Sequence, residues 1–136
     1  DVCIEKKNSM PIVDIFEKKG EIFFREEEEK EVLKSLKQKN CIIAIGGGAF
    51  INKNIRENIL KNAISIWLKV DPSVLDKRVK RNFKRPLLKV KNNRAKLREL
   101  YEKRKSVYEL ANHKINCDGL TKENIVKKIT SIYEKY

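Results

Sequence analysis

Short apolar runs alternate with longer segments of helical periodicity, and this alternation leaves the chain few folds to choose from. Residues 41–45 (CIIAI) and 63–70 (AISIWLKV) are continuous or nearly continuous apolar runs. They are too short for buried helices, so each is expected as a strand covered on both faces. Residues 113–117 (HKINC) make a third, shorter candidate. Helical signals fill the intervals. Ser9 is placed to cap a helix, with Pro11 in its first turn and Gly20 just past its end. A second helix is expected over residues 21–39, with Phe24, Val32, Leu33 and Leu36 on one side. Glu28 shares that side, where a carboxylate needs a partner. Glu26 and Lys30 stand at i,i+4 spacing, a favourable pair. Further helices are expected over residues 53–61, from Asp71-Pro72 to a break before Pro86, over residues 93–111, and after Thr121 as cap. The last repeats Ile125, Ile129 and Ile132 on one face. Such an order predicts a single α/β domain over residues 1–136, a three-layer α/β/α parallel sheet with helices on both faces. Three strands are few for that architecture. The sheet is therefore expected to be incomplete at its amino-terminal end, and a chain that opens on Asp1 reads as an internal start.

Composition narrows the function. With 5 Gly and 3 Pro in 136 residues, and 40% hydrophobic residues, collagen-like and low-complexity chains are excluded. No apolar run nears the ~20 residues of a membrane span. Cys3, Cys41 and Cys117 form no C-x-x-C pair, so neither a zinc site nor a disulfide scaffold is expected. Reduced thiols and a cytoplasmic location follow as expectations. His113 is the lone histidine, which excludes chemistry built on several.

The net charge of +13 is concentrated in one place. Residues 77–98 (KRVKRNFKRPLLKVKNNRAKLR) hold nearly all of the excess and contain no Asp or Glu. Such a run is either a solvated loop or the seat of an anionic ligand. Surfaces for single-stranded nucleic acid interleave aromatics with the charges, and here Phe83 stands alone. A small phosphorylated ligand fits better.

Four local features could carry chemistry. Gly46, Gly47 and Gly48 come directly after the first apolar run. They allow positive φ and let bare N–H groups approach a ligand, or else simply make a tight turn. Arg25 stands one turn before Glu28, either as a surface ion pair or as a guanidinium held for a substrate carboxylate. Arg104 by itself is a helix-surface residue. Arg85-Pro86-Leu87-Leu88 combines a cation, a fixed hinge and an apolar anchor, as a segment closing over a nucleotide would need. Arg78 lies seven residues earlier.

In order, the chain reads Asp1-x-x-Ile4-Glu5, Gly20-Glu21-x-x-Phe24-Arg25-x-x-Glu28, Gly46-Gly47-Gly48-Ala49, Leu75-x-x-Arg78, Arg85-Pro86-Leu87-Leu88 and Arg104-x-x-x-Tyr108. This series closely resembles the shikimate kinase family, over essentially the whole chain. The resemblance implies a P-loop fold of the nucleoside-monophosphate-kinase type. It implies ATP-dependent phosphorylation of the shikimate 3-hydroxyl, in chorismate and aromatic amino-acid biosynthesis. By resemblance, Asp1 binds the shikimate hydroxyls and orients or deprotonates the attacking one. Arg25 and Arg104 grip the carboxylate, and Gly46, Gly47 and Gly48 line the pocket. Arg85 reaches the phosphates from a lid at residues 83–92, Arg78 stacks on adenine, and the other adenine wall falls near residues 118–122. ATP and Mg2+ are the implied cofactors, shikimate and ATP the small-molecule partners, without nucleic acid or membrane, and a monomer is expected.

The family also has a strand, a phosphate loop of the form G-x-x-G-x-G-K-[ST] and a first helix. None of these is found in the 136 residues, and Gly46-Gly47-Gly48 lacks the lysine. The magnesium ligands are expected in that segment, so no metal site is assigned here. Without a central strand, the polypeptide is expected to expose apolar strand faces, to be poorly stable and to lack kinase activity. The competing readings are another small-metabolite kinase of the same fold, a basic nucleic-acid-binding module, and a shikimate-binding remnant without catalysis.

Overall fold

The computed structural model describes residues 1–79 and 93–136, without the side chains of residues 76–79, 93 and 94. The lid expected at residues 83–92 lies outside the described residues.

The chain opens with a helix that its sequence did not announce, α1 (Val2–Asn8). Ser9 ends this helix in the left-handed region, at φ 52°, and does not cap the next one. The N-cap of α2 (Ile12–Ser35) is Pro11, which has no capping side chain. Glu5 supplies the missing acceptor: its carboxylate takes a hydrogen bond from the Ile12 N–H at 2.9 Å. Gly20 breaks α2 into two arms, at φ 84° and ψ 168°, a conformation that favours glycine. Ile4, Ile12, Ile15 and Phe24 are buried together across the two helices. Glu27 is buried too, held by Lys7 at 2.6 Å and Lys30 at 3.0 Å. The hydrogen bonds from these two ammonium groups hold its carboxyl below the usual range. Lys30 therefore pairs with Glu27 and not with Glu26.

A 3-10 turn (Ala49–Ile51) leads into α3 (Lys53–Asn62), capped by the Asn52 side-chain amide oxygen Oδ1, which accepts from the Ile55 N–H at 3.1 Å. Next along the chain are β1 (Ile66–Lys69), α4 (Pro72–Val79), α5 (Asn93–Tyr108), β2 (His113–Asn116) and α6 (Lys122–Tyr133). Two of the expected caps form. Asp71 accepts from the Ser73 N–H at 2.8 Å, and Thr121 accepts from the Asn124 N–H at 3.3 Å.

Strands β1 and β2 pair in parallel, with Ile66 opposite His113 and Lys69 opposite Asn116. On one face Val70, Ile115 and Cys117 pack with Val74 and Leu75 of α4 and with Ile125, Ile129 and Ile132 of α6. On the other, the Trp67 ring lies 5.8 Å from Tyr108 of α5. Helices thus cover both faces, as an α/β fold requires.

Residues 41–45 depart from expectation. They form neither helix nor strand, and Ile42 is 96% exposed. A strand is stabilised by its neighbours, and the described sheet has two strands, neither of which pairs with this segment. Apolar burial accordingly falls into three separate clusters. Cys3 and Cys41 are exposed and Cys117 is buried, its thiol donating to the Ile115 carbonyl at 3.4 Å. Among the described residues, no helix is long and apolar enough to cross a membrane.

Candidate functional site

The glycine turn is anchored by the residues on its carboxyl side. Ala49 and Phe50 are buried with Val32 of α2 and with Ile55 and Ile59 of α3. The Ala49 N–H bonds back to the Gly46 carbonyl at 3.1 Å, which folds the turn on itself. Positive φ is not what demands glycine here: residues 46–48 have none, and Gly48 sits at φ −87°. The demand is steric. A Cβ on Gly48 would lie 2.7 Å from the Arg25 Cζ, one on Gly46 would lie 3.1 Å from a Glu28 carboxylate oxygen, and one on Gly47 would lie 3.0 Å from the Tyr108 hydroxyl.

Arg25 reaches the turn from the second arm of α2. Its Nη1 donates to Glu28 at 2.7 Å, and its Nε and Nη2 donate to Glu21 at 3.3 and 3.1 Å. Glu28 is only 5% exposed, and the expected need for a partner is met by this guanidinium. Three bonds leave two of the five guanidinium N–H donors for a ligand. The solvent-side groove next to Arg25 is lined by Glu21, Glu26 and Glu29. An anion is disfavoured there, so the glycine side is the one suited to a carboxylate.

Arg104 reaches the same turn from α5. Its Nη1 would be 3.5 Å from a Cβ on Gly47. Among the described residues it has no carboxylate partner and no hydrogen-bond acceptor. The Tyr108 hydroxyl, one helical turn later, donates to the Gly47 carbonyl. Two arginines far apart in sequence therefore flank one short glycine segment, and the backbone N–H groups of residues 46–48 donate to no described acceptor. That set of cationic and neutral donors matches a small acid that also carries polar oxygens.

Several supporting residues were not singled out from sequence. Glu21 is a second holder of Arg25, and its i,i+4 spacing was the available signal. Glu29 accepts from the side-chain amides of Asn52 and Asn54, both at 2.6 Å. It thereby ties α2 to the start of α3, just beyond the glycine turn. No local pattern announces that bond, because its partners are distant in sequence.

Of the other expected site residues, Asp1, Arg78 and Arg85, only Asp1 has its side chain described. Asp1 is exposed at the N-cap of α1, and its carboxylate makes no capping bond. Arg78 falls within the span of α4, where its side chain is not described, and Arg85 lies outside the described residues. The segment expected to wall the adenine is used to join β2 to α6: Asp118 accepts from the Asp71 N–H at 2.9 Å, and Gly119 turns the chain at φ 71°.

A family model described as shikimate kinase matches residues 1–134. The chain belongs to the shikimate kinase family. A shikimate kinase of Sulfurihydrogenibium sp. is 41% identical over 129 residues, which are 95% of this chain and 76% of that protein. One of Bartonella henselae is 36% identical over all 136 residues and 65% of its own length. The chain thus spans about two-thirds to three-quarters of these relatives. A solved shikimate kinase from Acinetobacter baumannii in complex with shikimate superposes with a TM-score of 0.94 at 32% identity, over 99% of this chain and 76% of that one. The fold is therefore the α/β fold of shikimate kinases, and the six sequence motifs that suggested the family identified it correctly.

Proposed function

We propose that this chain holds shikimate by its carboxylate between Arg25 and Arg104, over the glycine turn, for ATP-dependent phosphorylation of its 3-hydroxyl. The observation that carries the reading is the convergence of α2 and α5: each delivers one guanidinium to the same three glycines, and Arg104 has no carboxylate partner among the described residues. Arg25 is pre-set by Glu28 and Glu21, so little side-chain freedom is lost on binding. The glycine N–H groups supply neutral donors for the ligand's oxygens. Asp1 is assigned by resemblance to the hydroxyls, where it would orient or deprotonate the attacking oxygen. Arg78 and Arg85 are assigned by resemblance to the adenine and the phosphates. Phosphoryl transfer depends mostly on positioning and charge stabilisation; Asp1, Arg25, Arg104 and the glycine turn would supply its acceptor side.

The donor side is a different matter. The 136 residues contain no phosphate loop, and no group of three His, Cys, Asp or Glu suited to a metal is present among the described residues. Small molecules, not nucleic acid or membrane, are the proposed partners of a cytoplasmic monomer.

Calorimetric titration tests the clamp. Shikimate should bind, and its methyl ester, which lacks the charge, should bind poorly. Arg104→Ala should weaken shikimate about tenfold or more, the scale of a lost charge-assisted hydrogen bond. Equal binding of acid and ester would instead favour a different acceptor in the same fold.

A further inference from the structure

We infer that Tyr108 is a positioning residue that selects one orientation of the Gly47–Gly48 peptide and so presents the glycine amides to the substrate. The inference rests on the shikimate reading above and adds a residue to it.

The peptide between Gly47 and Gly48 joins two residues without side chains. Glycine tolerates both signs of φ, so rotation of this peptide unit as a block meets little steric resistance. In a trans peptide the C=O and N–H point in opposite directions. In the observed orientation the Gly47 carbonyl faces Tyr108 and the Gly48 N–H points away from it; the reverse puts an acceptor where that donor stands. Tyr108 decides between them, because its hydroxyl donates to the Gly47 carbonyl and can hold that oxygen only in the first orientation.

Tyr108 is itself well placed. It ends α5, one helical turn after Arg104, so one helix face carries both the cation and the anchor. Its ring lies 5.8 Å from Trp67 on β1, which supports it from the sheet. The close approach also accounts for glycine at position 47, where a Cβ would stand 3.0 Å from the Tyr108 hydroxyl.

Tyr108→Phe removes the hydroxyl and keeps the ring against Trp67. Trp67 is the single tryptophan of the chain, so its fluorescence reports shikimate titrations directly. The intact protein carrying Tyr108→Phe should bind shikimate about fivefold more weakly, the scale of one neutral hydrogen bond, with an unchanged thermal midpoint. Gly47→Ala presses its methyl against the hydroxyl at 3.0 Å, so adding Tyr108→Phe to it should cost less than Tyr108→Phe costs alone. Unchanged shikimate affinity in Tyr108→Phe, alongside a loss in Arg104→Ala, would overturn the positioning role and leave the clamp standing. Strict additivity of the two substitutions would also overturn it. If neither Tyr108→Phe nor Arg104→Ala affects binding, or if the unaltered chain does not bind shikimate, the clamp reading fails and this inference falls with it.

Discussion

The glycine turn and the five residues just before it are neighbours in sequence and opposites in support. Gly46, Gly47 and Gly48 are approached by Glu28, Tyr108 and Arg25 respectively, from two helices. Residues 41–45 form no strand, and Ile42 is 96% exposed. The turn depends on side chains that α2 and α5 deliver, each helix being stabilised by its own backbone bonds. The preceding segment depends on backbone partners in an adjacent strand, and none of the described strands supplies them. A corner built from helices can thus be well formed beside a sheet element that is not.

The largest effect should come from Gly48→Ala. The new methyl would meet the Arg25 guanidinium at under 3 Å, and Glu28 and Glu21 hold that group in place. Overpacking of this kind costs about 1–3 kcal/mol, and shikimate binding should fall at least as sharply. Urea unfolding and calorimetry measure the two losses. A variant of wild-type stability and affinity would show that the turn is loosely held.

Glu27→Gln should have an effect that depends on pH. The folded-state carboxyl is held low by Lys7 and Lys30, so its ionised form stabilises the fold above the ordinary carboxylate range. That contribution drains away as pH falls through the lowered value. The substitution should therefore lower the thermal midpoint near neutral pH and make the acid side of the stability profile flatter. Parallel profiles for the two proteins would count against the α1–α2 tie.

Ile42→Thr should do least. A side chain this exposed contributes almost nothing to the packed clusters, and surface changes usually stay within about 0.5 kcal/mol. An apolar side chain also leaves the surface, so the variant should aggregate less on heating, as light scattering would show. A loss of stability comparable to Gly48→Ala would mean that residues 41–45 are paired in solution, and would erase the contrast.

Much was legible in the residues. Gly20 marked the break in α2, Asp71 and Thr121 marked caps, and the demand of Glu28 for a partner followed from its place on an apolar helix face. Ser9 misled because a serine suits either side of a helix boundary, and nothing local distinguishes the end of α1 from the start of α2. The run at residues 41–45 reads as a buried strand in any sequence, since apolarity records what a segment could bury and not whether a neighbour is there to cover it. The glycine triplet was marked for positive φ and for a ligand's approach; its φ values are ordinary, and what approaches it in the structure are the side chains of Glu28, Tyr108 and Arg25.

The sequence by itself determined the alternation of helix and strand, the helix termini at its strong caps, and the set of residues from which a small-acid site could be made. These depend on contacts within a turn or two of chain. Only the tertiary structure decided that Arg25, Arg104 and Tyr108 meet at one turn, that Arg104 meets it with no carboxylate partner among the described residues, and that Glu29 braces the far side. Those are distances between elements, set by how whole helices pack, and no local spacing encodes them.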